Sequence, residues 1–159
     1  MIMAHKFDTT LTGAAGEHLV LSRLLFRGLV AAQAPEGVRK VDILVTPKLD
    51  NIQRLIQVKS RRYGSDGGWH MSKKHEDEKD PNLFYCFVDF EPEKPDVYVI
   101  PSEVVADAIK HDHALWLSTP GLKGQKRKDT NMRRLRPRMP SLPEGWINDY
   151  LESWELIES

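Results

Sequence analysis

The sequence predicts an α/β fold: a helix, three strands, a second helix, then further strands and helices. Three observations carry this. Apolar side chains between residues 12 and 27 recur at helical spacing. Residues 41–46 and 53–60 alternate at the period of a strand, with the turn signal Asp50-Asn51 between them. Residues 83–90 form an apolar, aromatic-rich run of strand length.

Thr10 or Thr12 is the expected cap of the first helix, which runs to about residue 27 and stops at Gly28. Leu19, Val20, Leu24 and Phe26 contribute to its apolar side. Residues 29–34 read as a short strand ended by Pro35. In the next strand Val41, Ile43 and Val45 share one face, and Asp42 and Leu44 the other. Its expected hairpin partner places Leu55, Gln57 and Lys59 on one face and Ile56 and Val58 on the opposite one. Residues 61–68, with Gly64, Gly67 and Gly68, read as a flexible loop, and residues 71–79 as a polar helix ended by Pro81. Strands follow at 83–90 and 97–100, with Pro92 and Pro95 in the turn. Ser102 caps a helix through about residue 110, with Glu103 in its first turn. Residues 121–143 read as irregular. Residues 146–157 read as a last helix with Trp146, Tyr150, Trp154 and Ile157 near one face. A single domain over 1–159 is expected, with a core at about 10–110 and a basic, helical extension beyond it.

Composition narrows the function classes. Apolar residues make up 40% and charged residues 29%, a balance that fits a globular chain rather than a disordered one. Basic and acidic residues number 23 each, so no whole-chain attraction for nucleic acid exists. Cys86 is the sole cysteine, which excludes a disulfide framework or a Cys-rich zinc module. His5, Lys6 and Asp8 precede no apolar segment of the secretory type, and Arg23 and Arg27 interrupt the best apolar stretch, 19–32. The cytoplasm is the expected compartment, with no membrane partner. The zero net charge hides an asymmetry, however. Eight basic residues between Lys123 and Arg138 face Asp129 alone, while residues 141–159 carry five acids and no Lys or Arg. Such a basic stretch either contacts phosphates or folds as a solvated surface against the acidic tail.

The chemistry concentrates in Val41-Asp42-Ile43-Leu44-Val45 and Ile56-Gln57-Val58-Lys59-Ser60. A carboxylate interrupts one apolar strand, and an amide oxygen and a lysine, two apart, interrupt the next. Polar groups in apolar strands are costly unless paired or used. Glu17 extends the sheet-facing stripe of the first helix, although an acid in the first turns also favours the helix dipole.

This arrangement resembles the PD-(D/E)XK nuclease superfamily, and the resemblance spans roughly the first two thirds of the chain. It implies an αβββαβ restriction-endonuclease-like core with a central mixed sheet flanked by helices. Asp42 matches the family's first acid, Gln57-Val58-Lys59 its (D/E)-x-Lys, and Glu17 its helix acid. The strands around Phe84 to Asp89 and Val97 to Ser102 also look like those of uncharacterised bacterial members. Val41 stands where the family usually has proline, and Gln57 where a carboxylate is usual. The resemblance implies metal-dependent phosphodiester hydrolysis, of DNA in preference to RNA. Asp42, Gln57 and Glu17 would hold Mg²⁺ or Mn²⁺, and Lys59 would orient water or stabilise the phosphate. Arg61, Arg62, His70, Lys73 and Lys74, and Lys126, Arg127 and Lys128 in the basic stretch, are the expected nucleic-acid contacts. A homodimer, or a second encounter, would supply the second cut of a duplex.

Two rival readings fit the same residues. In one, Gln57 marks a lost acid and the domain binds nucleic acid or protein without cleaving. In the other, Lys59 simply pairs with Asp42 or Glu17. His75-Glu76 opens like a zinc-protease HExxH, but position 79 is Lys. His111-Asp112-His113 reads as surface, Cys86 as an inert core thiol, and the four tryptophans as packing rather than base-stacking groups.

Overall fold

The computed structural model describes residues 8–62 and 67–159. His5, Lys6 and Gly64, which figured in the leader and loop expectations, lie outside the described residues. Helix α1 (Thr9–Phe26) precedes strands β1 (Val30–Gln33), β2 (Ile43–Thr46), β3 (Arg54–Arg61) and β4 (Trp69–Ser72). A 3-10 turn (Lys73–Asp77), β5 (Leu83–Asp89), β6 (Asp96–Pro101) and α2 (Ser102–Ser118) follow. The chain then forms β7 (Met132–Leu135), a 3-10 turn (Trp146–Tyr150) and the single-turn helix α3 (Glu155–Glu158).

The central sheet has the order β1-β2-β3-β5-β6. All neighbours are antiparallel except β3 and β5, which run parallel, so the sheet is mixed. Strand β3 is central, and the period of two divides it as the sequence predicts. Ile56, with Ile43 and Val45 of β2, packs with Val20 and Leu24 of α1 and with Trp154 and Ile157. Tyr85 and Phe87 of β5 and Ile100 of β6 face the other way, onto Val105, Ala108 and Ile109 of α2, where Leu55 also packs. Each fully buried aliphatic side chain contributes about 1.5–3 kcal/mol relative to exposure. Those two layers pack on both faces of the sheet that carries Gln57 and Lys59.

Local sequence explains the ends of α1. Asp8, rather than Thr10 or Thr12, caps it, its Oδ1 accepting from the Thr10 N–H at 2.8 Å. At the other end Gly28 takes φ +76°. Its N–H donates to Leu25 O and that of Leu29 to Leu24 O, a Schellman closure with Leu29 packed into the core beside Leu24. Midway, Gly16 lies against β3. A Cβ there would stand 1.8 Å from Ser60 Oγ and 3.0 Å from Ser60 Cβ. The absence of a side chain lets α1 approach the sheet closely and fixes the height of the neighbouring Glu17.

Several expectations need correction. Residues 71–79 do not form a helix: Trp69-His70-Met71-Ser72 is a strand, and the helical part shrinks to the 3-10 turn. The segment 121–143 is not irregular throughout, because Met132–Leu135 pairs antiparallel with β4, Trp69 opposite Leu135 and His70 opposite Arg134. The alternation was disguised by Arg133, which fills an inward position. It is buried and ion-paired with Glu76, and it donates to Thr130 O at 2.6 Å. The expected last helix is instead a 3-10 turn and a separate short helix, while α2 extends eight residues beyond the expected 110, to Ser118. Of the basic stretch and the acidic tail, Arg136 pairs with Asp112 at 2.8 Å and Glu152 with Arg23 of α1, while Trp146 of the tail donates to Arg136 O at 3.2 Å. No helix among the described residues is long and apolar enough to cross a membrane.

Candidate active site

Asp42 sits one step beyond the Ile43–Ile56 pair, beside Gln57. Its N–H donates to Ile56 O at 2.8 Å, and its Oδ2 accepts from the Val58 N–H at 2.7 Å. The carboxylate is therefore fixed to the backbone of β3, with Oδ1 receiving no protein hydrogen bond among the described residues. Glu17 opens into the same cleft, roughly 310 Å³, together with Val41, Pro35 and Glu36. Burial, and then the charge of Asp42, push the Glu17 carboxyl above its ordinary value. The charge of Asp42 thus reaches Glu17 across the junction of α1 and the segment before β2.

Gln57 and Lys59 project from the opposite face of β3 from Ile56 and Val58, as the alternation predicts. Gln57 Oε1 is buried and has no hydrogen-bond partner. Leaving such an oxygen unsatisfied costs about 1–3 kcal/mol. Burial lowers the pKa of Lys59, against the opposing pull of Asp42 and Glu78, while the charge of Lys74 adds to the lowering. Lys59 makes no ion pair among the described residues. The reading that it simply closes a salt bridge with Asp42 or Glu17 has no such contact behind it.

The site face extends to residues the sequence reading did not single out. Glu78, just past the first 3-10 turn, is buried, and its Oε2 accepts from the Tyr85 hydroxyl at 2.8 Å. Lys40 Nζ stands 3.0 Å from Glu78 Oε1. Burial works to raise the Glu78 pKa, but Lys40 and Tyr85 outweigh it and hold the carboxyl below its ordinary value. Burial and then the bond to Glu78 push the Tyr85 phenol well up. His75 stacks edge-on against Tyr85 at 6.2 Å, and its Nδ1 accepts from the Ser72 N–H at 2.9 Å. Burial holds that imidazole's pKa below the ordinary value. Glu78 sits in the run His75-Glu76-Asp77-Glu78, where no sequence signal separates it from the exposed Asp77. Its partner Tyr85 becomes visible only through the register that sets Gln57 opposite Tyr85.

Among the expected nucleic-acid contacts, Arg61 is taken up by the fold. It is paired with Asp89 at 2.6 Å, and its guanidinium lies 4.4 Å over the Trp69 ring. Arg62, His70 and Lys74 are exposed, and Lys73 pairs with Asp129 at 3.3 Å. Lys126 and Lys128 are exposed, whereas Arg127 lies 4.8 Å over the Trp116 ring and donates to Trp116 O. Trp69 and Trp154 are core, as is Cys86, whose thiol burial pushes up. Within the His111-Asp112-His113 run, Asp112 is buried against Arg136 and His113 bonds Asp129 at 2.7 Å.

The fold is shared with a bacterial homing endonuclease. The solved structure of that protein, I-Ssp6803I, matches with a TM-score of 0.56 at 20% sequence identity, over 95% of this chain and 91% of the other. No family model and no curated protein matches the chain. At this identity the likeness establishes the architecture, and the chemistry rests on the side chains. Among the described residues no three His, Cys, Asp or Glu side chains gather at metal-binding spacing. The donors present are two carboxylates, Glu17 and Asp42, and the neutral Gln57 Oε1. Oxygen donors of these kinds suit a hard divalent cation that also takes substrate phosphate oxygens.

Proposed function

We propose that the chain is a Mg²⁺- or Mn²⁺-dependent endonuclease of the PD-(D/E)XK type that hydrolyses DNA. The observation carrying this reading is the buried, unpartnered Gln57 Oε1 on the strand that also presents Lys59, beside a backbone-anchored Asp42. Asp42, Gln57 and Glu17 would hold the cation, which supplies an acidified water and polarises the phosphate. Lys59 is carried by a strand packed on both sides, and its ammonium would stabilise charge at the phosphate or orient the attacking water. His70 and Lys74, with Arg62, Lys73, Lys126, Arg127 and Lys128, would touch backbone phosphates and so position the substrate rather than read it. One such site nicks one strand, and a second copy of the chain would make the other cut. The cytoplasm, where DNA is accessible, is the compartment this reading requires.

The neutral charge of Gln57 favours a second reading, a domain that binds nucleic acid without cutting it. Mg²⁺ titrated into wild type, Asp42→Ala and Lys59→Ala with supercoiled DNA separates the two. The nuclease reading predicts metal-dependent nicking, lowered at least about a hundredfold in either variant. Salt-sensitive DNA binding with no nicking at any metal concentration would instead support the binding domain.

A further inference from the structure

Glu78 is a buried carboxylate on the site face to which the proposed chemistry gives no task. One oxygen takes the Tyr85 hydroxyl, and the other faces Lys40 at 3.0 Å, an approach dominated by charge rather than by hydrogen-bond direction. Lys40 lies two residues before Asp42 in the exposed segment 35–40. Its backbone takes φ +67°, a left-handed conformation. For a residue with a Cβ this costs about 1–3 kcal/mol and persists where the surroundings over-determine it. An exposed ion pair contributes little, but here one partner is buried and the other is held in a strained backbone. The pair also spans the sheet. Glu78 and Tyr85 belong to the segment that enters β5 and to β5 itself, and Lys40 to the approach to β2.

We infer that Glu78 and Lys40 are positioning residues: their ion pair ties the segment before β2 to the site face of the sheet and so fixes Asp42 against β3. The consequence for catalysis rests on the nuclease reading, whereas the consequence for the backbone does not. The test uses the full-length protein as wild type, Lys40→Met, Lys40→Arg and Glu78→Gln. Glu78→Gln keeps an acceptor for Tyr85 and removes the charge. Hydrogen exchange is followed without metal at two amides, Asp42 N–H bonded to Ile56 O and Val58 N–H bonded to Asp42 Oδ2. Lys40→Met and Glu78→Gln are expected to speed both by about tenfold while the β5 amides keep their protection. In the nicking assay they lower kcat with KM unchanged, and Lys40→Arg restores both readouts. Unchanged exchange at the two amides overturns the inference, as does a parallel rise across β5, which marks a general loss of stability. If wild type does not nick DNA, the nuclease reading fails by itself and the exchange data still decide the clamp.

Discussion

Lys59 and Arg61 stand two residues apart on the same face of the same strand, and the fold treats them in opposite ways. Arg61 is ion-paired: its Nη2 donates to Asp89 at 2.6 Å and its guanidinium covers Trp69, although its Nε and Nη1 are buried without a hydrogen-bond partner. Lys59 is as much part of the sheet, yet it has no ion pair among the described residues, and burial disfavours its charge. Its neighbour Gln57 has an equally idle oxygen. A cation that stabilises a fold is paired and packed, whereas a desolvated cation without a partner costs stability unless it is used. Position on the strand therefore does not decide the role of a polar side chain. What separates the two cations is a charged partner: Arg61 has Asp89, and Lys59 has none among the described residues.

The largest expected effect breaks this comparison at its structural half. Arg61→Met leaves the Asp89 carboxylate buried without its cation, and about 3–5 kcal/mol of unfolding free energy should be lost. Lys59→Met removes a desolvated charge and no partner, so its stability should equal or exceed that of wild type. Urea unfolding of the two variants reads the difference, and equal losses in both would refute the division.

A smaller effect sharpens it through pH. The pKa of Lys59 in the folded protein lies below its ordinary 10.5, so the unfolded chain binds this proton more tightly. Below the folded value both states are charged and wild type bears the full cost. As pH rises from the folded value towards 10.5 the folded protein sheds its proton first, and wild-type stability gains. The stability advantage of Lys59→Met over wild type should accordingly shrink across that window in unfolding curves taken at increasing pH. A constant gap would mean that Lys59 is not desolvated.

The placement of Gln57 and Lys59 was legible in the sequence because it depends on periodicity. Alternation placed Gln57 and Lys59 on one face and Ile56 and Val58 on the other, and the spacing of Asp42 set it beside them. The β4–β7 ribbon was not legible. Its inward position at Arg133 is polar, and an arginine neutralised by Glu76 has no local signature. Likewise, Arg61 reads as a phosphate contact until its tertiary partner Asp89, 28 residues away, is in view. Glu78 was missed for the same reason: burial and its pairing with Lys40 distinguish it, and both arise from contacts distant in sequence.

The central claim is that Gln57 Oε1 is kept unpartnered for a cation. Calorimetric titration of Mn²⁺ into wild type and Gln57→Met tests it most directly. The account predicts saturable binding by wild type, weakened at least about tenfold in the variant, which keeps the bulk of the side chain but not its oxygen. Equal affinity in the two proteins, or no binding to wild type, would contradict it.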